Sequence, residues 1–134
     1  MDCQFKPNLL NSQKGFTMNE LQMKDRTKEF AKGVIQLCRE LPDNREGRLI
    51  GNQLFRSGTS VAANYRATCR AKSRSDFIAK LSIVEEEVDE ALFWMELLYE
   101  MNILRSTLLE DLMRESTEIL AIVVASIKTS RKNK

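Results

Sequence analysis

Apolar residues recur along most of the chain at alternating steps of three and four positions, which is the period of amphipathic α-helices. No segment shows the strict alternation that is typical of a half-buried strand. Only five glycines and two prolines interrupt the pattern. The sequence therefore predicts an all-α protein of four helices, each with one stripe of residues facing a common core.

The first predicted helix covers about residues 19–41, and Pro42 ends it because proline lacks a backbone donor and restricts the residue before it. Asp43 or Asn44 can cap the second helix, which continues to about Lys72. The inward stripes are expected to be Met23, Thr27, Phe30, Val34, Leu37 and Leu41 in the first helix, and Ile50, Leu54, Val61, Tyr65 and Cys69 in the second.

The third and fourth helices are each predicted to begin at a capping box. Residues 73–76, "SRSD", place a serine three positions before an acid, and residues 107–110, "TLLE", repeat this spacing with threonine and glutamate. The expected inward stripes are Phe77, Leu81, Val84, Val88, Ala91, Met95 and Leu98 in the third helix, and Leu109, Met113, Leu120, Val124 and Ile127 in the fourth.

Short connections indicate an antiparallel up-down-up-down four-helix bundle, because a turn of a few residues cannot cross the bundle. Gly58 lies within an inward stripe although a glycine inside a helix costs about 1 kcal/mol relative to alanine, so we expect another helix to approach closely there. The 134 residues suit one domain. Residues 1–17 and 129–134 are expected to be flexible ends.

The net charge of +2 gives no general reason to expect a polyanionic partner, but the charges are unevenly distributed. Residues 44–75 carry seven basic side chains and one acid, whereas residues 76–100 carry eight acids and one base. This separation of charge favours pairing between the second and third helices.

The complete absence of histidine excludes Ser-His and Cys-His catalysis and the Glu-x-x-His pairs of di-iron bundles. Cys3, Cys38 and Cys69 show no motif spacing, and the last two are expected to pack in the core. Glu86, Asp89 and Glu90 allow a carboxylate-only magnesium site, but an acidic run on a helix is more often a solvated or ion-paired face. We therefore expect no enzymatic activity, no cofactor and no metal site. The start of the chain does not resemble a signal peptide, and no apolar run has the length of a membrane span, so a cytoplasmic protein is expected.

Residues 54–98, "LFRSGTSVAANYRATCRAKSRSDFIAKLSIVEEEVDEALFWMELL", resemble the signature region of the bacterial four-helix-bundle family of 23S rRNA-intervening-sequence proteins. The most specific parts are "FRSGTSVAAN", "SRSDF" and the run from "KLSIVEEEVDE" to the tryptophan. Many members have "NIAEG" where this chain has Asn64 followed by "YRATC", which places it in a variant branch. The resemblance implies a ring-like homopentamer without known enzymatic activity. Some relatives are encoded inside ribosomal RNA intervening sequences, and distant ones assist reverse transcriptases by binding nucleic acid.

Several large apolar residues lie outside the core stripe of the third helix or just after it. Such groups on a surface indicate a partner site, and a ring of subunits would cover them. Scattered surface hydrophobics, which monomers tolerate, are the alternative. The predicted oligomer interface consists of Phe93, Trp94, Leu97 and Leu104.

The basic stretch admits two interpretations. Its arginines can pair with the acids of the third helix, which we favour for Arg56 and Arg66, or they can bind the phosphates of RNA or single-stranded DNA. A third possibility is a protein-binding adaptor whose charged faces serve another protein, such as a reverse transcriptase. The candidate nucleic-acid residues are Arg66, Arg70, Lys72, Arg74, Lys128, Arg131 and Lys132.

Glu87 lies at the border of the core stripe, where a carboxylate needs a partner. Antiparallel pairing of the second and third helices sets Glu87 roughly level with residues 61–65. Asn64 is therefore the predicted hydrogen-bond donor, with Lys80 or an arginine of a neighbouring subunit as the predicted charge.

Overall fold

The computed structural model describes residues 19–133, which form four α-helices and no strand. The helices are α1 (Glu20–Arg39), α2 (Arg45–Thr68), α3 (Arg74–Glu100) and α4 (Thr107–Lys132). The all-α prediction is confirmed for this part of the chain. Cys3 and the predicted flexible segment 1–17 lie outside the described residues.

Side-chain caps define the starts of α1, α2 and α3, and the last two match predicted caps. The Asn19 side chain accepts a hydrogen bond from the Gln22 backbone N–H at 2.8 Å, and Gln22 Oε1 accepts one from the Asn19 N–H at 2.9 Å, which completes a capping box. Asn44, rather than Asp43, caps α2 by accepting from the Gly47 N–H. Ser73 caps α3 by accepting from the Asp76 N–H at 3.1 Å.

The start of α4 and the end of α2 differ from prediction. Ser106, not Thr107, caps α4 by accepting from the Leu109 N–H, so the expected capping box over residues 107–110 does not form. Helix α2 ends at Thr68. The backbone N–H groups of Arg70 and Ala71 then bond to carbonyls three positions back, which makes a tighter turn than that of an α-helix. This turn places Ala71 in the core.

The inward stripes of α1 and α3 are buried as predicted, apart from half-buried Leu41, and that of α2 is buried except for half-buried Ile50. The prediction of the inward stripe of α4 is correct for Leu109 and Ile127 and wrong for its other residues. Its buried residues are Leu109, Leu112, Ser116, Ile119, Ile122, Val123, Ser126, Ile127 and Ser130, whereas Met113, Leu120 and Val124 lie half-buried at its edge. The helix also continues through residues 129–132, where a flexible end was expected.

Each helix packs on the next one along the chain, and α1 also contacts α4. The α1–α4 contact includes Arg26, whose guanidinium donates to both carboxylate oxygens of Glu115, at 2.6 and 2.8 Å, and to Glu118 at 2.7 Å. The connections cover only residues 40–44, 69–73 and 101–106. These contacts are compatible with the predicted up-down-up-down arrangement.

The predicted close approach at Gly58 is present. A Cβ atom added at Gly58 would lie 2.7 Å from Val34 Cγ1 and 2.8 Å from its Cγ2, which is closer than van der Waals contact allows. Val34 of α1 is completely buried. The missing side chain at Gly58 therefore lets α1 and α2 pack directly against each other.

Replacing Gly58 with alanine is expected to destabilise the protein. Alanine improves helix propensity by about 1 kcal/mol. Overpacking costs about 1–3 kcal/mol, and the branched side chain of Val34 has little freedom to move away. We expect a net loss of up to about 2 kcal/mol in the free energy of unfolding, measured by urea denaturation.

Gly33→Ala is the matched control. A Cβ at Gly33 would meet Leu112 Cδ2 at 2.8 Å, but this atom is the end of a side chain that can rotate. The substitution should therefore cost less than Gly58→Ala. An equal or larger loss at Gly33 would contradict the assigned role of the Val34 contact.

Candidate functional surfaces

The contact between α2 and α3 centres on Arg56. Its guanidinium donates to Glu90 Oε2 at 2.5 Å and to Glu87 Oε1 at 3.4 Å. The hydrogen bond to Glu90 is the main cause of the raised pKa of Arg56. The prediction that Arg56 pairs with acids of the third helix is confirmed.

Glu90 joins this ion pair to an aromatic cluster. Its Oε2 also accepts a hydrogen bond from Trp94 Nε1 at 3.1 Å. The bonds from Arg56 and then from Trp94 lower the pKa of Glu90 because they favour its charged form. The Trp94 ring meets the Phe93 ring edge to face, with centroids 4.9 Å apart.

The predicted pair between Asn64 and Glu87 does not form. Asn64 Nδ2 donates to the backbone carbonyl of Ser60 at 2.9 Å, one turn back in the same helix. Glu87 instead accepts a hydrogen bond from Arg56. Arg56 lies about two helical turns before residues 61–65, the level at which Glu87 was predicted. Lys80, the other proposed partner, binds Asp76 at 2.6 Å.

Arg66 does not join the acids of α3. It lines a groove between α1 and α2 together with Lys24, Asp25, Lys28 and Ala62, and also a recess that Lys80 of α3 borders. We call Lys24, Lys28 and Arg66 the basic groove. None of these three cations forms an ion pair with any residue in the described range 19–133.

The charge pattern of the sequence did not identify Lys24 and Lys28 as part of a basic surface. Their spacing of four residues places both on one edge of α1, and a helical wheel would have set this edge beside the inward stripe. Arg70 lines the adjoining recess, together with Lys24, Arg66 and Cys69. The basic surface of α2 thus continues onto the neighbouring edge of α1.

The turn between α2 and α3 carries further positive charge. Lys72 is exposed, and its backbone N–H donates to Asp76 Oδ2 at 3.0 Å. The bond from Lys80, followed by this backbone bond, lowers the pKa of Asp76. Arg74 is half-buried. The last two turns of α4 also carry exposed cations, namely Lys128, Arg131 and Lys132.

Most of the remaining acids of α3 face α4. Glu85, Glu86 and Asp89 line a groove with Ser82 of the same helix, and its apolar side consists of Leu120 and Val124. We call Glu85, Glu86 and Asp89 the acidic groove. None of the three forms an ion pair among the described residues, so these acids are not the partners of the arginines in α2.

The predicted oligomer-interface residues differ in exposure. Phe93 is 49% exposed. Trp94, Leu97 and Leu104 are half-buried, and Trp94 and Leu104 pack against the core. The other exposed large apolar residues within the described range are Leu21, Leu49, Phe55, Ile83 and Met101.

Cys38 is half-buried and packs against the core. Burial raises the pKa of the Cys38 thiol to about 11, so little thiolate exists at neutral pH, which fits the predicted packing role. Among residues 19–133, no three Cys, Asp or Glu side chains cluster as metal ligands would. None of the four helices has the length and apolar character of a membrane span.

A protein-family model described as 23S rRNA-intervening sequence protein matches residues 19–125. The chain is also similar to a protein of unknown function from the S23 ribosomal protein family of Bacteroides thetaiotaomicron, solved as a crystal structure at 1.70 Å resolution. The TM-score is 0.75 and the sequence identity 35%, over 83% of this chain and 99% of that one. No curated protein matches the chain. Neither description indicates an enzyme.

Replacing Glu90 with glutamine is expected to lower stability near neutral pH by less than about 1 kcal/mol, because solvent screens this pair. The pKa of Glu90 is lowered in the folded state. The stabilisation that the charged Glu90 carboxylate provides is therefore present above the ordinary glutamate pKa of about 4.3. It is lost as the pH falls through the lower pKa that Glu90 has in the folded protein. Urea denaturation of both proteins between pH 3 and pH 7 would measure this difference.

Glu87→Gln provides the comparison, because Glu87 lies farther from Arg56 and makes no bond to Trp94. Its effect should be smaller. A difference between wild type and Glu90→Gln that did not shrink on acidification would show that the carboxylate charge is not the stabilising feature.

Proposed function

This chain belongs to the 23S rRNA-intervening sequence protein family, and on that premise we propose that it is a non-enzymatic scaffold or accessory factor. It assembles with itself and contacts RNA or single-stranded DNA through one end of a four-helix bundle. The observation that carries this function is the set of exposed cations of α2 and the following turn, which the acids of α3 do not neutralise.

The proposed bundle is antiparallel, up-down-up-down. Two contacts between α1 and α2 support this arrangement, since Cys38 meets Gly51 whereas Val34, earlier in α1, lies against Gly58, later in α2. In such a bundle the start of α1, the end of α2, the start of α3 and the end of α4 share one end. We call this the basic end.

The basic end combines cations from distant parts of the sequence. Arginine can bind a phosphate with two parallel N–H···O bonds, and lysine contributes a point charge. The cations available there are Arg66, Arg70, Lys72, Lys128, Arg131 and Lys132. Arg74 is left out because it is half-buried.

The acids of α3 cancel less of this charge than their number suggests. Glu87 and Glu90 are engaged by Arg56, and Asp76 by Lys80. The acidic groove faces α4. The positive potential of the basic end is therefore expected to persist at the distances over which phosphates are attracted.

Self-association is proposed through the exposed apolar surface around Phe93. By resemblance to the family, the assembly is a homopentamer in the cytoplasm. A ring repeats the basic end once per subunit, so several weak phosphate contacts would act together and raise the overall affinity.

The second candidate is a protein-binding adaptor with no nucleic-acid role. The acidic groove favours it, because three carboxylates beside Leu120 and Val124 suit a basic, partly apolar protein surface and would repel a phosphate backbone. A reverse transcriptase or another basic protein would be such a partner.

The assembly proposal predicts a particle several times heavier than the 15.4 kDa chain, with five copies expected. Light scattering of the purified protein measures this mass. Phe93→Ser should lower the mass, because it removes apolar area from the proposed contact, while circular dichroism remains helical. Leu49→Ser, at an exposed position of α2 outside both grooves, should leave the mass unchanged. A wild-type monomer at micromolar concentration would refute self-assembly.

The nucleic-acid proposal predicts binding to single-stranded RNA or DNA that weakens steeply with salt, with a slope of about 0.7 in log affinity per neutralised phosphate. Arg70→Gln with Lys72→Gln should lower both affinity and slope for all sequences, because phosphate contacts carry no base information. Fluorescence anisotropy with labelled oligonucleotides at several salt concentrations tests this.

Two controls accompany this measurement. Arg39→Gln with Arg45→Gln removes two exposed cations beside the turn 40–44, at the opposite end, and should leave binding unchanged. Removing residues 131–134 tests whether the basic chain end binds polyanions by itself. If the intact protein binds no nucleic acid even at low salt, the adaptor replaces the nucleic-acid proposal.

A further inference from the structure

We infer that copies of this chain dock head to tail, with the basic groove of one copy seated on the acidic groove of the next. This inference rests on the self-assembly in the proposed function and deepens it by naming the two different faces that meet.

The first face lies between α1 and α2. The three cations of the basic groove surround Ala62, and the acid in their groove is Asp25. Farther from the α2–α3 turn, on the same α1 side of α2, Phe55 is 46% exposed and lines a recess with Cys38. The face therefore presents positive charge followed by an aromatic ring. Arg66 and Phe55 are separated by about 16 Å along the helix.

The second face lies between α3 and α4 and presents the opposite charge in the same order. The three carboxylates of the acidic groove flank Leu120 and Val124. Phe93 follows Asp89 by one helical turn and is exposed, again farther from the α2–α3 turn. The rise from Glu85 to Phe93 is about 12 Å, comparable to that on the first face.

The matching order favours copies that point in the same direction, since charge then meets charge and apolar surface meets apolar surface. A two-fold contact that paired either groove with itself would oppose like charges. When two different faces meet, the growing assembly keeps one free basic groove at one end and one free acidic groove at the other. Such growth ends when a ring closes.

A second copy fits these faces better than a foreign partner. Both faces carry charges that have no ion-pair partner among residues 19–133, and one neighbour on each side would neutralise both. A nucleic acid or an acidic protein in the basic groove would leave the acidic groove unmatched. Arg66 then belongs to the subunit contact. Arg70, which lines the adjoining recess, remains available for phosphates together with Lys72, Arg131 and Lys132.

The test uses two charge-reversed full-length variants. One carries Lys24→Glu, Lys28→Glu and Arg66→Glu, so both of its grooves are acidic. The other carries Glu85→Lys, Glu86→Lys and Asp89→Lys, so both of its grooves are basic. Each alone should lose its assembled mass and scatter light as a monomer. An equimolar mixture should assemble again, because each reversed groove then meets a complementary one.

The mixture makes a sharper prediction as well. The two variants must alternate around a closed ring, so only even numbers of subunits can close. A five-membered wild-type ring would be replaced by an even-numbered one, which native mass spectrometry detects. If a charge-reversed variant does not fold, a variant with glutamine at the same three positions replaces it in the test. The glutamine variant should reduce the fraction of protein that is assembled.

Other results would overturn the inference. If wild type assembles and both variants keep its mass, the grooves are not the contact, and self-assembly stands. If the variants dissociate but the mixture stays monomeric, the two grooves do not face each other. If reversing the basic groove abolishes only nucleic-acid binding, that groove belongs to the nucleic acid. A monomeric wild type removes the proposed self-assembly itself.

Discussion

The shortness of the three connections is the constraint on which the rest of the molecule depends. A chain that reverses within residues 40–44, 69–73 and 101–106 must pack each helix on the next, because it has no length with which to reach a more distant one. The turn 69–73 in particular brings Arg56 to Glu90 and fixes how α2 and α3 are aligned. Charges placed far apart in sequence are thereby set on defined sides of the protein.

The sequence predicted the helices best where burial is apolar. In α1 and α3 the inward positions are mainly large hydrophobic residues, and their period identified the core almost completely. Helix α2 also buries glycines, Ser57 and Thr68, which the hydrophobic pattern did not include. In α4 the stripe includes Ser116, Ser126 and Ser130, which a hydrophobic pattern does not count. Ser116 can be buried because its hydroxyl donates to the carbonyl of Leu112, one turn back. A satisfied hydroxyl of this kind is not visible in the pattern.

The candidate surfaces were harder to predict because they depend on small angles and on helix ends. The asymmetry of charge between α2 and α3 was sufficient to predict the Arg56 pair. It was not sufficient for Arg66, since a rotation of about 100° per residue decides whether a side chain of α2 faces α1 or α3. The Asn64–Glu87 prediction failed because α2 was extended past Thr68, which displaced the alignment of the two helices.

Trp94 is the only tryptophan of the chain, so all indole fluorescence comes from one place. That place is the junction of the Arg56–Glu90 ion pair and the exposed Phe93 ring. An indole is apolar over its rings and polar at its N–H, and its emission depends on how much water surrounds it. The protein therefore contains a built-in optical reporter, which needs no label to indicate whether water has access to this surface of α3.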